Sequence, residues 1–354
     1  MEKLYYTGLL FLNFAVLNII LSIILFIISL VGKRVLSSPY IKSRLFFISL
    51  AAPPVVAAFT VVTSFIPPFF VKLHDGPMLC VNEPYCYIFS LIPEFPMFSG
   101  AVIAAVVLVL LSILYSIVSF GAYFRMGTVI NRLPALSYDN GMSMDRVLGT
   151  GGLRVKVIDT PLMISFVWGY ISNFIVISTG TLKSLSPDEL KCLFAHEISH
   201  YRRRDNVLKG ILLLCRNTLF IFPHIHYIFR WWKETIELIG DEAAVLSTGK
   251  PLDVASAILK MQNKSASERD WNIEQFATGF SAAANTETLT KRVERLVAIN
   301  DSKLVPGNAR CSFIPSETGI VTVLIVMFPI LFAVVYEIDP LMLHCYLEKI
   351  TSLL

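Results

Sequence analysis

The sequence predicts a membrane protein of mainly helical, α+β character: four membrane-crossing helices, with one folded domain between the third and the fourth. Three observations carry this. Of the 354 residues 55% are hydrophobic and only 16% charged, and the mean hydropathy is +0.65, too apolar for an ordinary soluble protein. The apolar residues gather in long blocks at 9–31, 45–66, 98–123 and 319–336, each near or above the ~18 residues that cross hydrocarbon. Finally, 27 of the 30 Lys and Arg residues lie either between Lys33 and Arg44 or between Arg125 and Arg310.

The first block is too long for a removable signal peptide and has no small-residue cleavage site, so it reads as a retained helix. Basic residues near span ends stay on the cytoplasmic side. The expected topology is therefore a multi-pass cell-membrane protein with both termini external. Residues 1–124 form three spans with an external loop at about 67–97, residues 125–312 a cytoplasmic domain, and residues 313–354 the fourth span and a short external tail. The net charge of +4 is then an orientation signal and calls for no nucleic acid. Cys80 and Cys86 fall in the external loop, where they either pair or remain free thiols. No cysteine has CxxC spacing, which disfavours a thiolate zinc site.

Within the inner domain, Val155–Ile158 and Phe174–Ser178 read as short strands around a turn-like Trp168-Gly169-Tyr170, with the edge of the second strand free. Ser186 then provides a cap, Pro187 a first helical residue and Glu189 the third position of a capping box, so a helix starts here. It carries His196-Glu197-Ile198-Ser199-His200 in its interior turns. The weakly charged stretch 207–232 reads as two helices broken near Pro223 and half-embedded beside the bilayer, since a further span would move Glu237 away from His196. The segment 263–275 is the most loop-like, and 291–299 reads as a short basic amphipathic helix.

His196 and His200, four apart on one helix, present both imidazoles to a single cation. Glu197 faces the open position as general acid/base. A third protein ligand is required to leave that position open, and Glu237 is the best candidate, with Glu234 and Glu242 as competitors. Asp241 shares a face with Glu237 and is placed to hold a histidine ligand from behind. Asp205 either orients an active-site side chain or pairs with Arg202, Arg203 or Arg204, which read as a membrane-surface anchor. His224 and His226 beside Pro223 read first as packing residues, while His74 and His344 lie on the far side of the bilayer. The expected cofactor is Zn2+, and the expected partners are a protein or peptide substrate and the lipid bilayer.

These residues resemble the integral-membrane zinc peptidases of the BlaR/MecR antirepressor type. The likeness covers 155–177, then Leu185-Ser186-Pro187-Asp188-Glu189-Leu190, the segment His196 to Asp205, Phe220-Ile221-Phe222-Pro223, Glu237 and Asp241-Glu242-Ala243-Ala244-Val245. The resemblance implies a zincin-type metallopeptidase domain in which His196, His200 and Glu237 bind zinc and Glu197 is the general acid/base, with a role in regulatory proteolysis. Gly240 departs from the Cys frequent in that family before Asp241, and the residues after 336 offer no penicillin-binding sensor, so β-lactam sensing is not expected. Membrane heat-shock and prenyl-protein endopeptidases also share the histidine motif followed by Glu-x-x-x-Asp and are the nearest alternative. A non-catalytic membrane receptor with a structural metal site is the alternative of another class; a transporter is disfavoured because the spans hold almost no ionisable residues.

Overall fold

The computed structural model describes residues 2–65, 96–132, 154–170, 173–267 and 286–301. The predicted fourth span, the loop at 67–97, Cys80, Cys86, His74 and His344 lie outside the described residues. Three long helices open the chain: α1 (Glu2–Val35), α2 (Pro39–Phe65) and α3 (Pro96–Arg132). Each contains a stretch long and apolar enough to cross a membrane, at Phe14–Val35, Pro39–Phe59 and Val102–Arg125. Where α1 and α2 pack, Ser29 donates to Ser49 at 2.8 Å, so buried hydroxyls satisfy one another where no water competes.

The sheet has three strands, β1 (Val155–Ile158), β2 (Ser165–Trp168) and β3 (Phe174–Ser178), in the order β1-β3-β2. β3 pairs parallel with β1 and antiparallel with β2. The chain does turn after Trp168, with Gly169 at φ 106, but the sequence reading is corrected twice: a third strand, β2, leads into that turn, and β3 is central, so neither of its edges is free. Its residues Ile175, Val176 and Ile177 have no exposed surface, the continuous apolar run of a strand covered on both faces. Tyr123 near the end of α3 stacks on Trp168 at 4.5 Å, seating the sheet on that helix.

After the short α4 (Thr179–Ser184) comes α5 (Pro187–Arg203), and the predicted start is met in full. The Ser186 side chain accepts from the Glu189 amide at 3.3 Å, and the Ser186 amide donates to the Glu189 carboxylate at 2.8 Å. Arg204 ends the helix in the left-handed region, φ 51, which turns the chain sharply into α6 (Asp205–Asn217). The stretch 207–232 is two helices: α6 closes at Asn217, and α7 (Pro223–Thr248) opens with Pro223 in its first turn.

The turn between α6 and α7 reaches far down the apolar helices. Asn18 of α1 donates to Thr218 at 3.1 Å, Ser22 of α1 meets His224 at 2.9 Å, Asn217 donates to Ser116 of α3 at 3.2 Å, and Tyr115 stacks on Phe220 at 5.1 Å. Phe46 and Leu50 of α2 join Ile225, Ile228, Trp232 and Ile236 of α7 in one buried cluster; each such side chain contributes roughly 1.5–3 kcal/mol by leaving water. α8 (Pro251–Ser267) and α9 (Thr286–Asn300) complete the described fold. α8 extends through 263–267, part of the segment read as loop-like. A second buried cluster joins Cys192 of α5, Ala244 and Val245 of α7, Val254 of α8 and Leu296 of α9.

Candidate metal centre

α5 and α7 cross where His196, His200 and Glu237, a group that could hold a metal ion, come together. Packing of Phe194 against Val157, Ile175 and Ile177 fixes one face of α5 on the sheet. His196 and His200, on the neighbouring face, point instead at α7. Gly240 of α7 permits the close approach: a Cβ there would stand 2.7 Å from His196 Cε1 and 3.1 Å from His200 Nε2. The departure from the family's frequent Cys at this position thus matches a helix backbone lying directly against both rings.

The Nε2 atoms of His196 and His200 are 3.0 Å apart. Glu237 faces both, 3.6 Å from His196 Nε2 and 3.9 Å from His200 Nε2. One ligand atom from each residue lies within 4.8 Å of the others. Ligands 2.0–2.1 Å from a tetrahedral zinc are separated from one another by about 3.3 Å, so the triangle fits a metal of this size.

The far side of each ring sets its protonation. His196 Nδ1 is 3.0 Å from Asp241 Oδ1, and His200 Nδ1 is 2.6 Å from Asp205 Oδ2. A proton on each Nδ1 satisfies these carboxylates, leaving bare lone pairs on the two Nε2 atoms. Two lone pairs aimed at each other across 3.0 Å repel unless a cation lies between or beside them. Burial alone would lower the His196 pKa, yet Asp241 and Glu237 outweigh it and raise it to about 10, a measure of how strongly this pocket draws positive charge, as proton or as metal.

Glu237 and Asp241 share one face of α7 but differ in exposure. The Glu237 side chain is 30% exposed, open to a cleft, whereas Asp241 is 3% exposed behind the ring it holds. Burial pushes both carboxyls up, but Arg292 and the histidines more than reverse it, and both remain well ionised. Arg292 of α9 was missed by the sequence reading, which saw only a short basic amphipathic helix at 291–299 and gave it no role in the site. Its guanidinium grips Asp241 through two 2.7 Å hydrogen bonds and stands 3.1 Å from Glu237. No local sequence signal marked it, because its partners Asp241 and Glu237 are met only through the docking of α9 on α7. The competitors for third ligand are occupied elsewhere: Glu234 accepts from Arg230 at 2.8 Å, and Glu242 is buried against Arg295.

Asp205 serves both expected roles, holding His200 while accepting from Arg203. Arg203 therefore turns inward, a correction to the surface-anchor reading, while Arg202 and Arg204 remain exposed. His224 and His226 take no part in the centre: His224 meets Ser22, and His226 Nε2 lies 2.7 Å from the Phe220 carbonyl.

Glu197 is buried, with Oε1 accepting from Ser165 Oγ of β2 at 3.1 Å. Burial raises its pKa, opposed by the neighbouring His196 and His200. Residues 97–296 match the model of the BlaR1 peptidase M56 family. The chain belongs to this family. Among relatives of the M56 chain, regulatory protein BlaR1 of Bacillus licheniformis is 24% identical over 198 residues, 55% of this chain and 31% of the relative. A protease HtpX homologue of Moorella thermoacetica is 21% identical over 149 residues, 32% of this chain and 50% of the relative. Another from Nitrosomonas europaea is 32% identical over 79 residues, 22% of this chain and 27% of the relative. The M56 chain thus covers half or less of the length of each of these relatives.

Proposed function

We propose that this protein is a membrane zinc endopeptidase in which His196, His200 and Glu237 hold the metal and Glu197 is the general acid/base. The observation that carries this is the pair of Nε2 atoms 3.0 Å apart, each ring backed by a carboxylate and faced by Glu237. Zinc bound there supplies a Lewis acid for the scissile carbonyl and activates water near neutral pH. Glu197 takes the proton from the attacking water and delivers it to the leaving amine. Ser165 orients the Glu197 carboxylate between these two transfers. Asp241 and Asp205 keep the imidazoles in the tautomer that offers Nε2 to a metal.

The substrate strand is best accommodated by β2, the edge beside Glu197, since β3 is paired on both sides. In the antiparallel register Phe166 and Trp168 turn their backbone groups toward β3, while Ser165 and Val167 turn theirs outward. Asn206 takes the Val167 carbonyl at 2.8 Å, which leaves the outward groups of Ser165 and the Val167 amide for a peptide added as a further strand. The orientation of basic residues supports catalysis at the cytoplasmic membrane face, on a protein substrate, in regulatory proteolysis. Likeness to the HtpX proteases supports a second reading of broader membrane-protein turnover.

The test is Glu197→Gln in the full chain. Zinc content by elemental analysis should match the unaltered protein, proteolysis should vanish, and uncleaved substrate should accumulate in cells. Retained proteolysis would remove Glu197 from the mechanism, loss of zinc with intact folding would make Glu197 a metal ligand, and zinc without proteolysis in the unaltered protein would point to a structural metal site in a non-catalytic receptor.

A further inference from the structure

A cavity of about 250 Å3 lies between α6 and α7, outside the metal centre. Lys209, Leu213 and Arg216 line it from one stripe of α6, and His226, Phe229, Arg230 and Lys233 from one stripe of α7. Such spacings of three and four place each set on a single helix face. Arg216, Arg230 and Lys233 bring positive charge to it, whereas burial lowers the Lys209 ammonium to about 7. Arg230 is engaged by Glu234. Arg216 is held by Asn217 Oδ1 at 3.0 Å and lies over the Phe229 ring at 5.1 Å, and Lys233 lies over the same ring at 5.4 Å. Among the described residues no carboxylate lies within ion-pair distance of Arg216 or Lys233. Two partly buried cations sharing one aromatic ring repel each other, and an anion between them removes that cost.

The level of the cavity identifies the anion. Trp231, between Arg230 and Lys233 in sequence, carries Lys33 over its ring at 4.2 Å. Lys33 lies in the last turn of α1, at the end of its membrane-crossing stretch. Tryptophan and lysine at a helix end mark the boundary between hydrocarbon and water, which is where phospholipid phosphates lie. The cavity descends from there to Arg216, which faces Tyr115 of α3 at 5.9 Å. Leu214 of α6, Ile221 in the turn that follows it and Tyr227 of α7 are exposed apolar residues, a surface suited to acyl chains rather than to a polar peptide.

We propose that this cavity binds the phosphate of an anionic phospholipid headgroup, with Arg216 and Lys233 as its ligands and Phe229 and Leu213 against the glycerol backbone. The inference rests on membrane insertion and is independent of the peptidase reading. It has a consequence for the metal centre, because Lys233 precedes Glu237 by one turn of α7 and a bound headgroup steadies that turn.

The test is equilibrium binding of fluorescent phosphatidylglycerol to the full chain in mild detergent, with phosphatidylcholine as control. Arg216→Gln/Lys233→Gln should weaken phosphatidylglycerol binding by roughly 30-fold, and Lys233→Gln alone by roughly 5-fold, with phosphatidylcholine binding unchanged. The single variant removes one half-buried charge, so it keeps the test open if the double variant does not fold. Equal phosphatidylglycerol binding by the Lys233→Gln and unaltered proteins would overturn the proposal, as would equal affinity for the two lipids. Displacement of the lipid by equimolar inorganic phosphate would assign the cavity to a free ion, and displacement by an acidic peptide but not by lysophosphatidylglycerol would assign it to a polypeptide. Either result also overturns the lipid assignment.

Discussion

Arg292 binds Asp241 through two parallel 2.7 Å hydrogen bonds across 51 positions of sequence, so the acid behind His196 is itself held by a third helix. The metal-binding geometry thus depends on α9 as much as on α5 and α7.

Replacing Arg292 with Leu leaves Asp241 and Glu237 without their shared cation, and both then compete for His196. Zinc affinity is expected to fall about 10–100-fold, as for other outer partners of metal ligands. Arg292→Lys should recover only part of it, because an ammonium cannot make the parallel pair of bonds. Titration of zinc against a competing chelator measures both.

Asp205→Asn preserves the shape behind His200 but removes the charge that stabilises its ring, and a loss of about 10-fold in zinc affinity is expected. Glu234→Gln is the matched control. Its carboxylate faces Arg230 and Thr288 rather than the histidines, so zinc content should be unchanged. A loss of zinc in that variant would reopen the choice of third ligand.

Gly240→Ala reverses an ordinary expectation. Alanine normally stabilises a helix interior by roughly 0.5–1 kcal/mol relative to glycine. Here the added methyl would lie 2.7 Å from His196 Cε1, and overpacking should instead destabilise the protein by about 1–3 kcal/mol. The melting temperature should fall and zinc occupancy with it.

Glu189 gives the fold an acid-sensitive joint. Burial alone would raise its carboxyl, but Lys260, Ser256 and the Ser186 amide hold it at about 2 rather than 4.5. A depressed carboxyl contributes stability above its unfolded value and loses it as pH falls through the folded one. The contribution, at most about 3 kcal/mol, is therefore intact above pH 4.5 and is lost between pH 4.5 and about 2. Glu189→Gln should lower stability near neutral pH and flatten the acid unfolding curve in that window, as followed by circular dichroism.

What was legible in the sequence was local. The start of α5 follows from Ser186, Pro187 and Glu189 within one turn, and the paired histidines from a spacing of four on that helix. Glu237 and Asp241 could be nominated because their own spacing repeats the same rule on α7. Arg292 could not, since its role depends on how α9 docks against α7, and a helix with several basic residues has no pattern distinguishing an inward arginine from a solvated one. β2 was hidden for a similar reason: Ser165–Trp168 runs into the turn at Gly169, and its identity as a strand comes from pairing with β3.

The continuity of α7 couples two environments. From Pro223, which opens the helix beside α1, to Glu237 the axis runs about 21 Å. His196 and His200 ride on α5, whose reference frame is the sheet. A pivot of 5° at the lower end of this rod carries the carboxylate about 2 Å away from the imidazoles, enough to open the coordination triangle. In a membrane peptidase built on this site, bilayer thickness and lateral pressure would thus reach the catalytic geometry through a lever rather than through a ligand.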